Sequence, residues 1–162
     1  MTKDTIITPL NEELDFSTVP SWYVLCTNST CPLRQECLRF FVGSHVPDSL
    51  EWARCVMPHT LKDGQCRWFD KKKVIVIAYG FGHLYDQVLK RHYTPMRKSI
   101  TYYLHGVKMY YEYKRGDRPL TPEQQQLICE LVKSYGYTWE VPFDRYTETY
   151  QFGEAPLPDR KP

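Results

Sequence analysis

Apolar residues stand singly or in pairs along most of this 162-residue chain, so the unbroken run Val74-Ile-Val-Ile-Ala-Tyr79 stands out. Apolar side chains on both faces suit a strand covered on both sides, and this stretch predicts the central strand of a sheet. Gly80 and Gly82 break it. Trp22-Tyr-Val-Leu-Cys26 is a shorter aromatic and β-branched run and predicts a strand that delivers a cysteine.

Helical spacing governs other stretches. Leu127, Ile128, Leu131, Val132 and Tyr135 form one apolar stripe behind Thr121-Pro-Glu-Gln124. In that start signal threonine caps, proline takes the first helical position and glutamine reaches back to the cap. A second helix is predicted over Pro32–Val42, with Cys31 as its cap, Gly43 as its stop, and Leu33, Cys37, Phe40 and Phe41 near one face. His83–His92 predicts a short helix, and Thr94-Pro95 opens another that carries Met96, Ile100, Tyr103 and Leu104 before Gly106. A helical turn is expected near Asp48–Cys55. Val107–Lys114 alternates and is rich in tyrosine, so it reads as a strand, as does Tyr137–Val141. Together these elements predict an α+β fold with a small mixed or antiparallel sheet, three or four short helices and a Cys-rich N-terminal knot.

Composition agrees with a folded chain: 42% of the residues are hydrophobic, and 12 prolines and 8 glycines punctuate short elements. Residues 1–20 read as a loose or disordered lead-in, 21–152 as one domain, and 153–162 as a loose tail. Within the domain, 22–70 is Cys-rich, 71–118 is basic and Tyr-rich, and 119–152 holds the capped helix and a cluster of aromatics. The opening residues carry no apolar signal core, and the longest apolar run is far too short to span a bilayer. A cytoplasmic location without a membrane partner is therefore expected.

In a reducing compartment the six cysteines favour ligation over disulfides. Cys26, Cys31, Cys37, Cys55 and Cys66 are separated by four, five, seventeen and ten residues. A structural zinc ion takes four thiolate or imidazole ligands. Cys26, Cys31, Cys37 and Cys66 are the preferred set, because the loop through Pro58 and Gly64 can fold Cys66 back; Cys55 is its substitute. His45 and His59 are substitute ligands as well. The gaps are wider than those of a zinc ribbon and suit a 4Fe–4S cluster equally, while buried free thiols are the plain structural alternative. Cys129 falls beside the stripe of the capped helix and reads as core.

Net charge is only +2, but it is unevenly placed. Residues 1–70 carry −3, residues 71–118 carry +8 and residues 119–162 carry −3. Eight of the 13 tyrosines lie between positions 79 and 113. Basic side chains interleaved with aromatics suit phosphate contacts and base stacking. Lys90, Arg91, Arg97, Lys98, Lys108, Lys114, Arg115 and Arg118 are the candidate contacts to DNA or RNA. A solvated charged face above half-buried tyrosines is the plain alternative. No nucleophile elbow, metalloprotease helix, phosphate loop or dinucleotide fingerprint is present, so no catalytic residue is assigned and an enzyme is not favoured.

Several short motifs resemble an uncharacterised bacterial family of small cysteine-containing proteins, a domain of unknown function. They are Cys26…Cys31-Pro…Cys37-Leu-Arg, Met57-Pro58 with Cys66-Arg-Trp-Phe, Tyr79-Gly-Phe, Tyr110-Tyr-Glu-Tyr113 and Gly116. Leu120-Thr-Pro-Glu-Gln-Gln125, Tyr135-Gly-Tyr137 and Phe143-Asp-Arg-Tyr146 complete the pattern. The resemblance spans most of residues 22–150 and implies no activity; it favours Cys66 over Cys55 as the fourth partner. The functional expectation is a zinc-stabilised protein that contacts nucleic acid in a regulatory or accessory role. The alternatives are a protein–protein interaction module with a purely structural cysteine cluster, or an iron–sulfur protein.

Overall fold

The apolar run Val74–Tyr79 is an interior strand, as its two-faced hydrophobicity requires. The computed structural model describes residues 6–10, 13–154 and 156. In chain order its strands are β1 (Ile7–Thr8), β2 (Leu25–Cys26), β3 (Cys55–Val56), β4 (Leu61–Lys62), β5 (Gln65–Cys66), β6 (Val74–Tyr79), β7 (Pro119–Leu120) and β8 (Arg145–Tyr150). Its α-helices are α1 (Leu38–Gly43), α2 (Lys90–Tyr103), α3 (Val107–Arg115) and α4 (Pro122–Ser134). The fold is α+β. The chain divides into two units, Met1–Leu10 with Ile75–Thr149, and Asn11–Val74 with Tyr150–Pro162. The remainder of the expected lead-in and tail lies outside the described residues.

The first unit holds the larger sheet, in the order β1-β8-β6-β7. The sheet is mixed: β1 runs parallel to β8, pairing Ile7 with Tyr146, while β6 runs antiparallel to β7, pairing Ala78 with Leu120. Beside it α2 buries Met96 and Ile100, α3 buries Tyr110 and Tyr113, and α4 buries Ile128 and Val132. These side chains form one core with Phe81, Leu84, Leu104 and Leu120. The capping box of α4 forms as its sequence predicts, with Thr121 and Gln124 exchanging hydrogen bonds. Gln125 adds a tie that no capping rule foretells. Its amide donates to the carbonyls of Val76 and Leu120, pinning α4 to the strand edge.

Two of the motifs meet around Gly80. It has φ 69°, in the left-handed region that favours glycine, and any side chain there would collide with the carboxylate of Asp144. The Asp144 N–H donates to the carbonyls of Tyr79 and Gly80, and the Arg145 guanidinium lies 4.0 Å from the centre of the Tyr79 ring. The motifs Tyr79-Gly-Phe and Phe143-Asp-Arg-Tyr146 therefore lock one strand end to the next.

Several local expectations need correction. Val107–Lys114 is helical, not a strand: Tyr110 and Tyr113 enter the core at a three-residue spacing. Gly116 closes this helix with φ 80°, its N–H donating to Tyr113 and that of Asp117 to Glu112, a Schellman ending. The helix predicted from Pro32 begins only at Leu38, because Cys37 bridges to Lys71 and the Leu38 N–H donates to the Asp70 carbonyl. Residues 32–36 form turns instead. Helix α2 starts at Lys90 and carries Pro95 within it, whereas His83–Tyr85 belongs to a single 3-10 turn. No helical turn forms over 48–55, and 137–141 is not a strand.

In the second unit β2 pairs in parallel with β3, and β4 with β5 makes a tight hairpin. Its core joins Tyr23, Leu25, Leu38 and Val42. Helix α1 lies so close to β2 that a methyl group on Gly43 would strike the carbonyl of Cys26. Gly43→Ala should therefore cost about 1–3 kcal/mol, the usual range for overpacking. Gly82→Ala, whose added carbon meets only an ordinary contact with Asp144 at 3.9 Å, should be near neutral. Urea unfolding midpoints at unchanged slope check the pair, and equal midpoints for the two variants would contradict this packing.

Candidate functional site

Four cysteines from three separate segments converge in the second unit. Cys26 ends β2, Cys31 follows a turn in which the Asn28 side chain accepts from Thr30, Cys37 precedes α1, and Cys66 ends the hairpin. All four line one cavity of about 20 Å³, with Val56 and Arg39 also in its wall. That is room for a single water-sized body, for which on the order of 10–15 Å³ suffices. Cys31 and Cys37 are buried, while Cys26 and Cys66 are partly covered. Among the described residues, no three or more Cys, His, Asp or Glu side chains are grouped closely enough to hold a metal ion.

Strand alternation separates the remaining thiol on β3. Cys26 pairs with Val56, which faces the cavity, so Cys55 is turned to the other side and is exposed. Cys66 arrives by the hairpin turn Asp63-Gly64, where both residues have positive φ, 49° and 74°. An Asp-Gly pair between short strands is the signature of this two-residue turn, and it is the sequence signal that would have revealed the hairpin. His59 lies in the short 3-10 turn before β4, and the hydroxyl of the neighbouring Thr60 is 3.9 Å from the Cys66 sulfur. His45 is engaged elsewhere, with Nδ1 2.7 Å from the Phe41 carbonyl. Cys129 packs beside the core of the other unit.

The electrostatics of the cavity pull in two directions. Burial pushes the Cys26 thiol up, the Asn28 backbone N–H bonded to its sulfur opposes this, and neighbouring Cys37, Cys31 and Cys66 add to the rise. Bringing thiolates together thus needs positive charge. Arg39 stands in the cavity wall and is only 2% exposed. Its Nε donates to Trp68 O, Nη1 to Val24 O, and Nη2 to the carbonyls of Gly153 and Glu154, at 2.9–3.2 Å. It also lies 4.6 Å from the Tyr23 ring centre. Tyr23 in turn donates to Asp70 at 2.6 Å, and burial together with this bond raises its pKa far above the usual tyrosine range.

In the first unit α2 and α3 meet at a sharp corner, where His105 has φ 63° and Gly106 φ 123°. A groove of about 910 Å³ runs along the corner, lined by Arg97, Lys98, Thr101, Tyr102, His105 and Val107 among others. Lys90, Arg91, Lys98 and Lys108 are exposed and Arg97 is partly covered. The last three candidates stand apart. Arg115 pairs with Asp117 at 2.8 Å, Arg118 with Glu112 at 3.0 Å, and Lys114 lies over the Tyr85 ring. Charge counting along the sequence could not anticipate these local partners.

A family model matches residues 9–152, nearly the whole described chain. The chain belongs to DUF6078, a family of unknown function. No curated protein and no solved structure matches it. The motifs that carried the resemblance now have physical roles in this DUF6078 chain: they line the cysteine cavity, fix the Gly80–Asp144 lock and cap α4. Among the described residues, no helix is long and apolar enough to cross a membrane.

Because Arg39 donates to four main-chain carbonyls at once, its removal leaves all four without this partner. Arg39→Met, which keeps the bulk, should cost about 3 kcal/mol or more, since each unsatisfied buried group costs about 1–3 kcal/mol. Arg39→Lys should recover less than half, because an ammonium cannot reproduce the planar fork. Denaturant titration measures both, and a loss below about 1 kcal/mol for Arg39→Met would rule out this role.

Proposed function

We propose that Cys26, Cys31, Cys37 and Cys66 hold a structural zinc ion in a cytoplasmic protein whose basic middle contacts nucleic acid in a regulatory or accessory role. The observation that carries the metal reading is that these four thiols line one ion-sized cavity. A set of four protein ligands leaves no open position for substrate water, which is the mark of a structural rather than a catalytic zinc site. The cavity's size favours a single ion over a 4Fe–4S cluster, which would have to push the walls apart. One feature suits a thiolate ligand: the Asn28 N–H bonded to the Cys26 sulfur. The sulfurs close on the ion as it binds, so binding energy becomes folding energy.

Protein purified without oxygen should carry about one zinc per chain, and Cys26→Ser, Cys31→Ser, Cys37→Ser and Cys66→Ser should each lose it. Cys55→Ser and Cys129→Ser should retain it. Zinc affinity should weaken as pH falls, because every ligand must shed a proton and Cys26 starts from a raised pKa. Less than half an equivalent of zinc, or retention after loss of any one of the four, would refute the site; iron in its place would establish the cluster alternative.

The nucleic-acid half rests on charge. From position 87 to 111 the chain has no Asp or Glu, yet it contains Lys90, Arg91, Arg97, Lys98 and Lys108. Release of counterions makes such binding fall steeply with salt. Labelled oligonucleotides should bind at low salt and dissociate as salt rises, and an absence of binding at low salt would remove this half.

A further inference from the structure

The shape of the basic surface says more than its charge. Helix α2 turns Met96, Ile100 and the following Leu104 into the core, all fully or almost fully buried. On a helix, positions displaced from these by about half a turn face outward. Thr94, Lys98, Thr101, Tyr102 and His105 fall there, with Arg97 at the edge, and all six line the groove. The corner at His105-Gly106 then brings the start of α3 across as the second wall, with Val107 at its lip. Basic side chains and hydroxyls thus border a largely apolar trough. Acidic groups do not compete: Glu112, the first acid after the stretch, is engaged by Arg118.

Tyr102 is the unusual member. Its side chain makes no contribution to the core and it is 88% exposed, the most exposed tyrosine among the large hydrophobic residues that face solvent. Nearby Tyr111 is also exposed, and the Arg97 guanidinium lies 5.9 Å from its ring centre. An aromatic face left bare beside cations is the arrangement that stacks an unpaired base while neighbouring phosphates are neutralised.

We propose that the α2–α3 groove binds single-stranded nucleic acid, with a base stacked on Tyr102 and the flanking phosphates held by Arg97, Lys98 and the hydroxyl of Thr101. This rests on the nucleic-acid reading above and sharpens it to a strand type and a place. Duplex fits poorly for a geometric reason. Its bases are already stacked on one another, and its major groove accepts a protruding helix or ribbon, whereas here the basic surface is a trough. Arg115 and Arg118, satisfied by Asp117 and Glu112, lie outside the site.

The test is a set of fluorescence-anisotropy titrations at low and high salt. The probes are a labelled mixed-sequence single strand, as DNA and as RNA, the same sequence as duplex, and vesicles containing anionic lipid. Single strand of at least one type should bind at least about tenfold more tightly than duplex. Tyr102→Ala should lose about 5- to 150-fold, since stacking on one aromatic is worth about 1–3 kcal/mol, while Tyr102→Phe should keep most of the affinity. Replacing Arg97 and Lys98 by Gln should weaken binding and flatten the salt dependence, whereas Arg115→Gln with Arg118→Gln should change neither. Thermal unfolding of Tyr102→Ala should match the parent, because its ring covers nothing. Duplex bound as tightly as single strand, or indifference to Tyr102→Ala, would overturn the groove proposal while leaving nucleic-acid binding in place. Absence of binding to every oligonucleotide at low salt would overturn both, and binding to vesicles alone would reassign the surface to lipid.

Discussion

A guanidinium buried to 2% exposure must have its donors satisfied, and at Arg39 they reach four carbonyls drawn from three parts of the chain. Moving an ion of this size out of water costs several kcal/mol, so each of these charge-assisted bonds is needed. The rings of Tyr23 and Trp68 cover its faces, at 4.6 and 5.5 Å. The positions involved are telling. Arg39 lies two residues after Cys37, its acceptor Val24 two before Cys26, and its acceptor Trp68 two after Cys66. One planar group thereby fixes the flanks of three of the four cavity cysteines. The cavity is a consequence of that clamp as much as of the cysteines themselves.

Close approach does comparable work elsewhere. Gly43 lets α1 settle on the backbone of β2 where Cys26 sits, and Gly80 admits the carboxylate of Asp144. Asp70 serves the second unit as Asp144 serves the first. It accepts from the Tyr23 hydroxyl and from the Gly153 N–H, and its own carbonyl takes the first amide of α1. Gly153 is thereby tied in place, and Arg39 holds the Glu154 carbonyl, although the Pro-rich sequence from Gly153 reads as a loose tail. Each lock joins residues far apart in sequence, which makes the short elements between them cooperative.

What could be read from the sequence was what local chemistry decides. The β6 run and the capping box of α4 were legible because a continuous apolar stretch and a reciprocal cap each leave a local pattern. Val107–Lys114 reads as a strand because its tyrosines satisfy both a two-residue and a three-residue period, and only Gly116 beyond it marks a helix. The start of α1 was displaced by pairing with Lys71 and Asp70, some thirty residues on, which no window around Pro32 contains. Cys26, Cys31, Cys37 and Cys66 line one cavity, but nothing in the spacing of the cysteines points to Arg39 in its wall. An arginine beside a Cys-Leu pair looks like surface until its acceptors are known.

The clamp and the proposed centre share the same short segments. The charge of Arg39 is answered where it sits, by four carbonyls and by the faces of Tyr23 and Trp68. Zinc held there would replace four S–H groups by thiolates around a divalent ion. That proton loss would have to overcome the burial that raises the Cys26 thiol. With such a centre, folding of the cysteine-bearing unit and metal loading would be one equilibrium, and the Arg39 clamp would serve it by fixing the flanks of Cys26, Cys37 and Cys66.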